Sequence, residues 1–567
     1  MRVSTFASLA ALLLSGATEG CAIAVSCRCM PGDSCWPTTN EWNTFNATVG
    51  GNLIATVPIG SPCHDPTYDE AACTALQNSW TSPMTHLYHP SSFMQNYFTN
   101  RSCDPFTDRA TPCELGNYVS FAVAVQNKQH VVSTVKFARE HNIRLVVKHT
   151  GHDYFGRSTG AGGLSIFTQG LGGISFSTFK DKYYSGRSMT IGAGVIGYDI
   201  LKAADENNAV VVTGESATVG LAGGYTQGGG HSALSTAFGL AADQTLSFEV
   251  VTAKGEIVTA SRTKNEDLYW ALSGGGGGNY GVVTSMTVRA HDNLKVGGAS
   301  FILYPTLLPA DQYKQAVETL FSYLPKFADQ GVMIVFAIRS NYLAVRNFMI
   351  YNSTAERAEE ILAPFVADLK TIGITITPTY STLSYYDHYA TYMGPIPAGI
   401  LPIGDTQVGG QLLPKTVLET NPKAYANTIL EIVSAGGGVI FSVADYSPPD
   451  DKVSNSVLPQ WRTAVSQVNV LATYDPKGTV EAMETALSTI TNTYMPKLKA
   501  AVPDSYAYVN EADIQEANWQ KTFYGSNYAK LQAIKLKYDC EGLFYTYKGV
   551  GSEKWATSTT GRLCATR

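Results

Sequence analysis

Val146-Val147-Lys148-His149-Thr150-Gly151-His152-Asp153-Tyr154-Phe155-Gly156 carries a β-branched run into a turn bounded by two glycines. Glycine tolerates the left-handed backbone of a sharp turn, and its missing Cβ lets the chain approach a ligand closely. His152 sits inside that turn, and imidazole is the side chain whose charge changes nearest neutral pH. On residue chemistry alone the turn is either a ligand anchor or a place where a histidine caps and satisfies the core.

The flanking segments tell what the turn belongs to. Val119, Phe121, Val123 and Val125 alternate as in a strand, Val131, Val135 and Ala138 fall at helical spacing, and residues 144–148 are extended again. This predicts one β-α-β unit with a right-handed crossover. Extended runs are also expected at 189–191, 210–213, 248–252, 257–259 and 282–288, the third and fourth joined by a turn at Lys254-Gly255. Beyond Gly298 the glycine density falls. Helices at 312–323 and 354–370 with strands at 333–338 and 347–351 read as an α+β unit built on an antiparallel sheet. Residues 385–402 read as a Pro-rich loop, and long loops of this kind are often functional. Its Tyr385, Tyr386, Asp387, His388, Tyr389 and Tyr392 form an aromatic and polar cluster able to stack on a sugar or phenol ring, or to pack half-buried.

A chain of 567 residues exceeds one ordinary core, so several units are expected: 1–20, 21–114, 115–297, 298–505 and 506–567. The first is a signal peptide, with Arg2, a short apolar stretch and then small residues; it is too short for a membrane anchor. The second is a Cys-rich cap with one short helix near 68–80. Ten cysteines crowded toward the two ends fit disulfides in an oxidising, extracellular setting, and the absence of paired CxxC knuckles argues against zinc, so no metal is expected. Asn46, Asn100 and Asn352 open glycosylation triplets. A net charge of -6 with no basic stripe excludes a nucleic-acid partner. The expected partners are small molecules, with no membrane association and a monomeric chain.

Two glycine loops follow the turn. Thr218-Val219-Gly220-Leu221-Ala222-Gly223-Gly224-Tyr225-Thr226-Gln227-Gly228-Gly229-Gly230-His231 can aim successive N-H groups into one concavity that suits a pyrophosphate, whereas a flexible linker would lack the interleaved hydrophobes. Gly276, Gly278 and Gly281 spell GxGxxG, but a helical 267–272 precedes and a strand at 282–288 follows. That is the reverse of a Rossmann dinucleotide site, which is therefore rejected.

Together, the Gly-His-Asp-Tyr turn, the Thr218 to His231 loop, Leu240-Ala241-Ala242-Asp243, Asn279-Tyr280-Gly281 and the tail Tyr508-Val509-Asn510-Glu511-Ala512-Asp513 resemble the FAD-linked oxidases of the vanillyl-alcohol-oxidase superfamily. The best fit is its berberine-bridge-enzyme-like branch, in the secreted fungal form. The resemblance is strong over 117–290 and good over 506–544. It implies an α+β fold: a PCMH-type FAD domain of two α/β subdomains, an antiparallel-sheet substrate domain, and a C-terminal segment returning to the FAD domain. By position, His152 matches the histidine bonded to the flavin 8α-carbon. Ser216 stands where many members carry a cysteine that makes a second link, so a single covalent link is expected. Val219 matches a gatekeeper that leaves room for oxygen. The implied cofactor residues are Gly151, His152, Asp153, Tyr154, Gly156, Ser158, Thr218, Val219, Gly220, Gly223, Gly224, Gly228, Gly229, Gly230, Asp243, Gly278, Asn279, Tyr280, Gly281, Val283 and Asn510.

The resemblance further implies an oxidase that moves a hydride from a small alcohol, sugar, phenol or alkaloid to flavin N5 and returns the electrons to O2. The alternatives are a dehydrogenase with another acceptor and a non-catalytic binding protein. A base within ~3 Å of the substrate hydroxyl is required. Tyr508 and His231 are the candidates, although a phenol with pKa near ~10 needs help from its surroundings.

Overall fold

The computed structural model describes residues 27–399, 402–449 and 453–566; the expected signal peptide lies outside them. The β-α-β unit is present as strand Phe121–Ala124, helix Lys128–Glu140 and strand Leu145–Lys148. The Asn127 side chain accepts the N-H groups of Gln129 and His130 and so starts the helix, which buries Val131, Val135 and Ala138. The two strands are not neighbours. Leu164–Phe167 lies between them, parallel to both. Strand Leu53–Ala55 closes the far edge antiparallel to Phe121–Ala124, so the Cys-rich segment contributes to this sheet rather than standing apart. Its aromatics dock there too: Trp42 stacks on Phe121 with centroids 4.2 Å apart, and Phe45 on Phe137 at 4.1 Å. Disulfides join Cys29 to Cys35, Cys63 to Cys73 and Cys103 to Cys113, while Cys27–Cys564 ties the two ends of the described chain together.

A second, antiparallel sheet runs Ile174–Lys180, Ser185–Gly192, Val282–Arg289, Thr245–Val251, Ile257–Ser261. Helix Glu266–Leu272 precedes the GxGxxG letters and strand Val282–Arg289 follows them, the order that excludes a Rossmann site. The strand expected at 210–213 is shorter. Only Ala209–Val210 pairs, with His291–Asp292. Val211 and Val212 are buried without a ladder, so burial and not strand pairing accounts for that apolar run.

The second half is one seven-stranded antiparallel sheet in the order Thr379–Leu383, Val296–Leu303, Tyr342–Tyr351, Val332–Arg339, Gly438–Val443, Ala464–Thr473, Thr406–Pro414. Side chains alternate across it. Ile334, Phe336, Ile338, Val439, Phe441, Val468 and Val470 share a core with helices Ala310–Asp329, Ala355–Thr371 and Pro422–Ser434, where Phe336 and Phe441 stack at 4.5 Å. Ser442, Gln467 and Asn469 therefore point the other way, toward the first half of the chain. The loop expected at 385–402 needs correction, because Tyr385–Tyr392 is helical. Ser384 caps it by accepting the Asp387 N-H, and Tyr385, His388 and Tyr389 bury one face at i, i+3, i+4 spacing; the prolines come only afterwards.

The C-terminal segment returns to the glycine-rich half. Lys535 on helix Tyr528–Tyr538 is buried and donates to Asn279 O, Phe544 O and Asp539 Oδ2, each at 2.6 Å. These bonds hold the tail against the loop that carries Asn279.

Candidate active site

The opening turn ends strand Leu145–Lys148 and lies against the loop that begins at Ser216. Gly151 takes φ +87° and Gly156 φ +69°, with Phe93 and the Phe98 ring packed where their side chains would be, so no L-residue with a Cβ fits either position. Asp153 Oδ2 accepts the N-H groups of Phe155 and Arg157 and thereby shapes the turn. Tyr154 is exposed and Ser158 half-buried. His152 Nε2 lies 2.7 Å from Thr218 Oγ1, and Thr218 Oγ1 lies 3.2 Å from Ser216 Oγ. Burial, then the nearby His149 and Lys148, push the His152 pKa down to about 3, so the ring is neutral. Lys148 is itself buried without a carboxylate, its Nζ donating to His149 O at 3.0 Å, and burial pushes it down to about 7.

The first glycine loop faces open space in part. A Cβ on Gly223 would meet nothing within 4 Å, and on Gly224 only Asn510 Oδ1 at 3.9 Å. Gly220 and Gly228 instead make room for neighbours: a Cβ would strike His149 Nδ1 at the first and Asn510 Nδ2 at the second. Gly229 and Gly230 have positive φ, and their N-H and C=O neighbours hold the start of helix Ala241–Gln244, with Ala242 donating to Gly229 O and Ala241 to Gly230 O. Val219 is half-buried beside them.

Several expected cofactor residues have other duties. Asp243 is fully buried, and its carboxylate accepts both Arg462 guanidinium nitrogens, Asn455 Nδ2 and the Leu240 N-H. All four of its lone pairs are used, so it ties the glycine-rich half to the loop after strand Gly438–Val443. Asn279 donates to Gly275 O and Gly276 O and accepts from Thr546, Tyr280 is buried against the tail, Gly278 approaches Thr546 and Gly281 approaches Val250. Val283 pairs with Val250 inside the sheet. Asn510 Nδ2 donates to Gly224 O at 2.8 Å and to the Tyr508 hydroxyl at 2.7 Å, which locks tail to loop. Of the 385–392 cluster, His388 is bonded to Asn347, Tyr392 to Ser381 and Tyr389 to Gly214 O, so these rings mostly pack.

His231 and Tyr508 do come together, with ring centroids 5.6 Å apart, and Trp461 covers both. The charges around them were not foreseen. Glu511 lies 3.2 Å from His231 Nε2 and Glu215 lies 3.4 Å from Nδ1. Burial opposes protonation of this imidazole, but Glu511 and Glu215 outweigh it and lift its pKa to about 10. Burial likewise disfavours a charged Glu511, yet His231 and the Asn469 amide, 2.9 Å away, hold it below the usual carboxylate range. Tyr508 goes the other way: burial, then Glu511, push the phenol well above its ordinary value. Both expected bases therefore carry their proton at neutral pH, and the group held deprotonated beside them is Glu511. Ser442 reaches Glu215 at 3.3 Å, and Gln467 donates to Asn469 at 2.9 Å, as the sheet alternation requires. Glu511 stood within the quoted tail motif, but its partner is 280 positions away and no local pattern marks the pair.

The residues fit a flavin beside the turn. A neutral His152 free of carboxylates and a glycine loop with an open face meet there, whereas the carboxylates gather around His231. Among the described residues no group of three or more His, Cys, Asp or Glu side chains is placed to hold a metal ion.

Comparison with known proteins agrees. A family model described as FAD binding domain matches residues 119–261, and one described as berberine and berberine-like matches 507–551. The chain is 42% identical to the FAD-linked oxidoreductase ZEB1 of Gibberella zeae, over 95% of each. It is 40% identical to the VAO-type flavoprotein oxidase VAO615 of Thermothelomyces thermophilus, again over 95% of each. The crystal structure of the VAO-type flavoprotein MtVAO615 from Myceliophthora thermophila C1 superposes with a TM-score of 0.91 at 39% identity, covering 95% of this chain and 100% of that one. With fold, cleft and sequence in accord over nearly its whole length, the chain belongs to the FAD-linked oxidoreductases of the vanillyl-alcohol-oxidase type, in their berberine-bridge-like branch.

Proposed function

We propose that the chain is a secreted oxidase that takes a hydride from a carbon of a small alcohol, sugar, phenol or alkaloid substrate, with FAD held by one covalent bond at His152. When bound, FAD accepts the hydride at N5 and passes the electrons to dioxygen, giving hydrogen peroxide. The observation that carries the reading is the His231 imidazole set between two carboxylates where the glycine-rich half, the large sheet and the tail meet. Glu511 takes the proton of the substrate hydroxyl, which must come within ~3 Å of it. His231 stays charged, keeps Glu511 ionised and stabilises negative charge growing on the substrate oxygen. Tyr508 and Trp461 are buried against His231 and shield it from water, and the protonated phenol donates rather than accepts. A half-buried Val219 supports oxygen as the acceptor, and the disulfides among the described residues support secretion.

The test is an anaerobic screen of these four substrate classes, following bleaching of the flavin absorbance, with air then admitted and peroxide measured. Bleaching by one class and stoichiometric peroxide is the expected result. Bleaching with slow, peroxide-free recovery would make the chain a dehydrogenase.

A further inference from the structure

We propose that Thr218, backed by Ser216, selects the tautomer of His152 that bonds to the flavin. The proposal rests on His152 as the point of attachment. A neutral imidazole carries one N-H and one lone pair, and the nitrogen that lacks the proton is the nucleophile. His152 Nε2 is 2.7 Å from the hydroxyl of Thr218, a fully buried side chain, while Nδ1 has no hydrogen bond to any described residue. The hydroxyl has a second partner, Ser216 Oγ at 3.2 Å, able to accept its proton. Nε2-H donating to Thr218, and Thr218 donating to Ser216, is the arrangement that leaves the lone pair on Nδ1. A carboxylate in the place of Thr218 would instead invite a second proton, as the ring of His231 demonstrates.

The backbone holds the hydroxyl in place. Gly197 N-H donates to Val219 O at 2.9 Å, Tyr198 N-H to Ala217 O at 2.7 Å, and Val219 N-H to Ser216 O at 3.2 Å, so the residues on both sides of Thr218 are tied down. Thr218 is thus a positioning residue, acting through His152.

The bond-forming step balances with dioxygen as the oxidant. The Nδ1 lone pair forms the N-C bond to the 8α-carbon as a C-H bond there breaks and its proton leaves. Two electrons pass through the isoalloxazine to dioxygen. Nε2 releases its proton by way of the Thr218 and Ser216 hydroxyls, and the two protons and two electrons complete hydrogen peroxide.

The experiment compares the full-length protein with Thr218→Val, Thr218→Ala, Thr218→Ser and Ser216→Ala. Total bound flavin is read from absorbance, and covalent flavin from in-gel fluorescence and intact mass after denaturation, over a time course with added FAD. Wild type and Thr218→Ser should become fully flavinylated at similar rates. Thr218→Val and Thr218→Ala should bind flavin but link it about tenfold more slowly, and Ser216→Ala should fall between. A Thr218→Val or Thr218→Ala protein that links flavin at the wild-type rate overturns the proposal. So does one that folds but retains no flavin at all, since Thr218 would then hold the cofactor rather than direct the histidine. If the Val variant fails to fold, Ala against Ser decides. Flavin released from denatured wild type overturns the attachment itself, a result distinct from any difference among the variants.

Discussion

Two histidines of the candidate site are held in opposite charge states. His152 is driven to neutrality, near 3, and His231 is lifted to about 10. Burial pushes both down, so burial does not separate them. Their company does. His152 has a hydroxyl on Nε2 and a buried lysine and a second histidine nearby, with no carboxylate. His231 has a carboxylate on each nitrogen. In the proposed function the same side chain serves once as a nucleophile and once as a fixed cation, and the chemistry divides accordingly into cofactor attachment and proton handling.

The sharpest way to break this division is at the cation's partner. Glu511→Gln keeps the shape and removes the proton acceptor, and turnover should fall by about a hundredfold or more while the flavin spectrum and its attachment persist; steady-state and stopped-flow reduction rates check it. In the wild type the pH profile should follow the same pair. Glu511 is held below the ordinary carboxylate range and His231 near 10, so activity and the stability of the pair should persist between those limits. The sign is fixed by linkage. The lowered carboxylate loses its contribution as pH falls through its folded value, and the raised imidazole loses its contribution as pH rises through about 10. A reductive half-reaction with an acid limb near neutrality would assign the base to a neutral histidine instead.

The next effect is on the frame that sets the two histidines apart. Asp243→Ala leaves Arg462 without its bidentate partner and should cost roughly 3 kcal/mol, read as a lower urea midpoint. The smallest effect belongs to the neutral end. Lys148 is pushed down to about 7, so the unfolded chain binds more protons between that value and the ordinary lysine pKa, and stability should rise with pH over that window. Lys148→Met should abolish that slope and add about 1 kcal/mol at more acidic pH. Urea unfolding at several pH values measures both.

Most of the frame was legible in the chain because local patterns dictate it. The alternation from Val119 to Val125, the helical spacing of Val131, Val135 and Ala138, and the hairpin at Lys254-Gly255 all depend on neighbours a few positions apart. Helix Tyr385–Tyr392 was legible too, in Ser384 and the i, i+3, i+4 spacing of Tyr385, His388 and Tyr389, but the following prolines masked it. The charge states were not legible. Glu511 reaches His231 across 280 positions, and Asp243 meets Arg462 across 219, so their chemistry is decided by tertiary contact alone. The placement of Leu164–Phe167 between two strands that adjoin in sequence has the same cause: sheet order is set by non-local pairing.

In the proposed function the neutral histidine is the one point of flavin attachment. Proteolysis of acid-denatured protein followed by mass spectrometry of the yellow fraction tests this directly. A single flavin-bearing peptide containing His152, with the peptides of Ser216 and His231 unmodified, is the expected result. Flavin left wholly in the acid supernatant, or found on any other peptide, would contradict it.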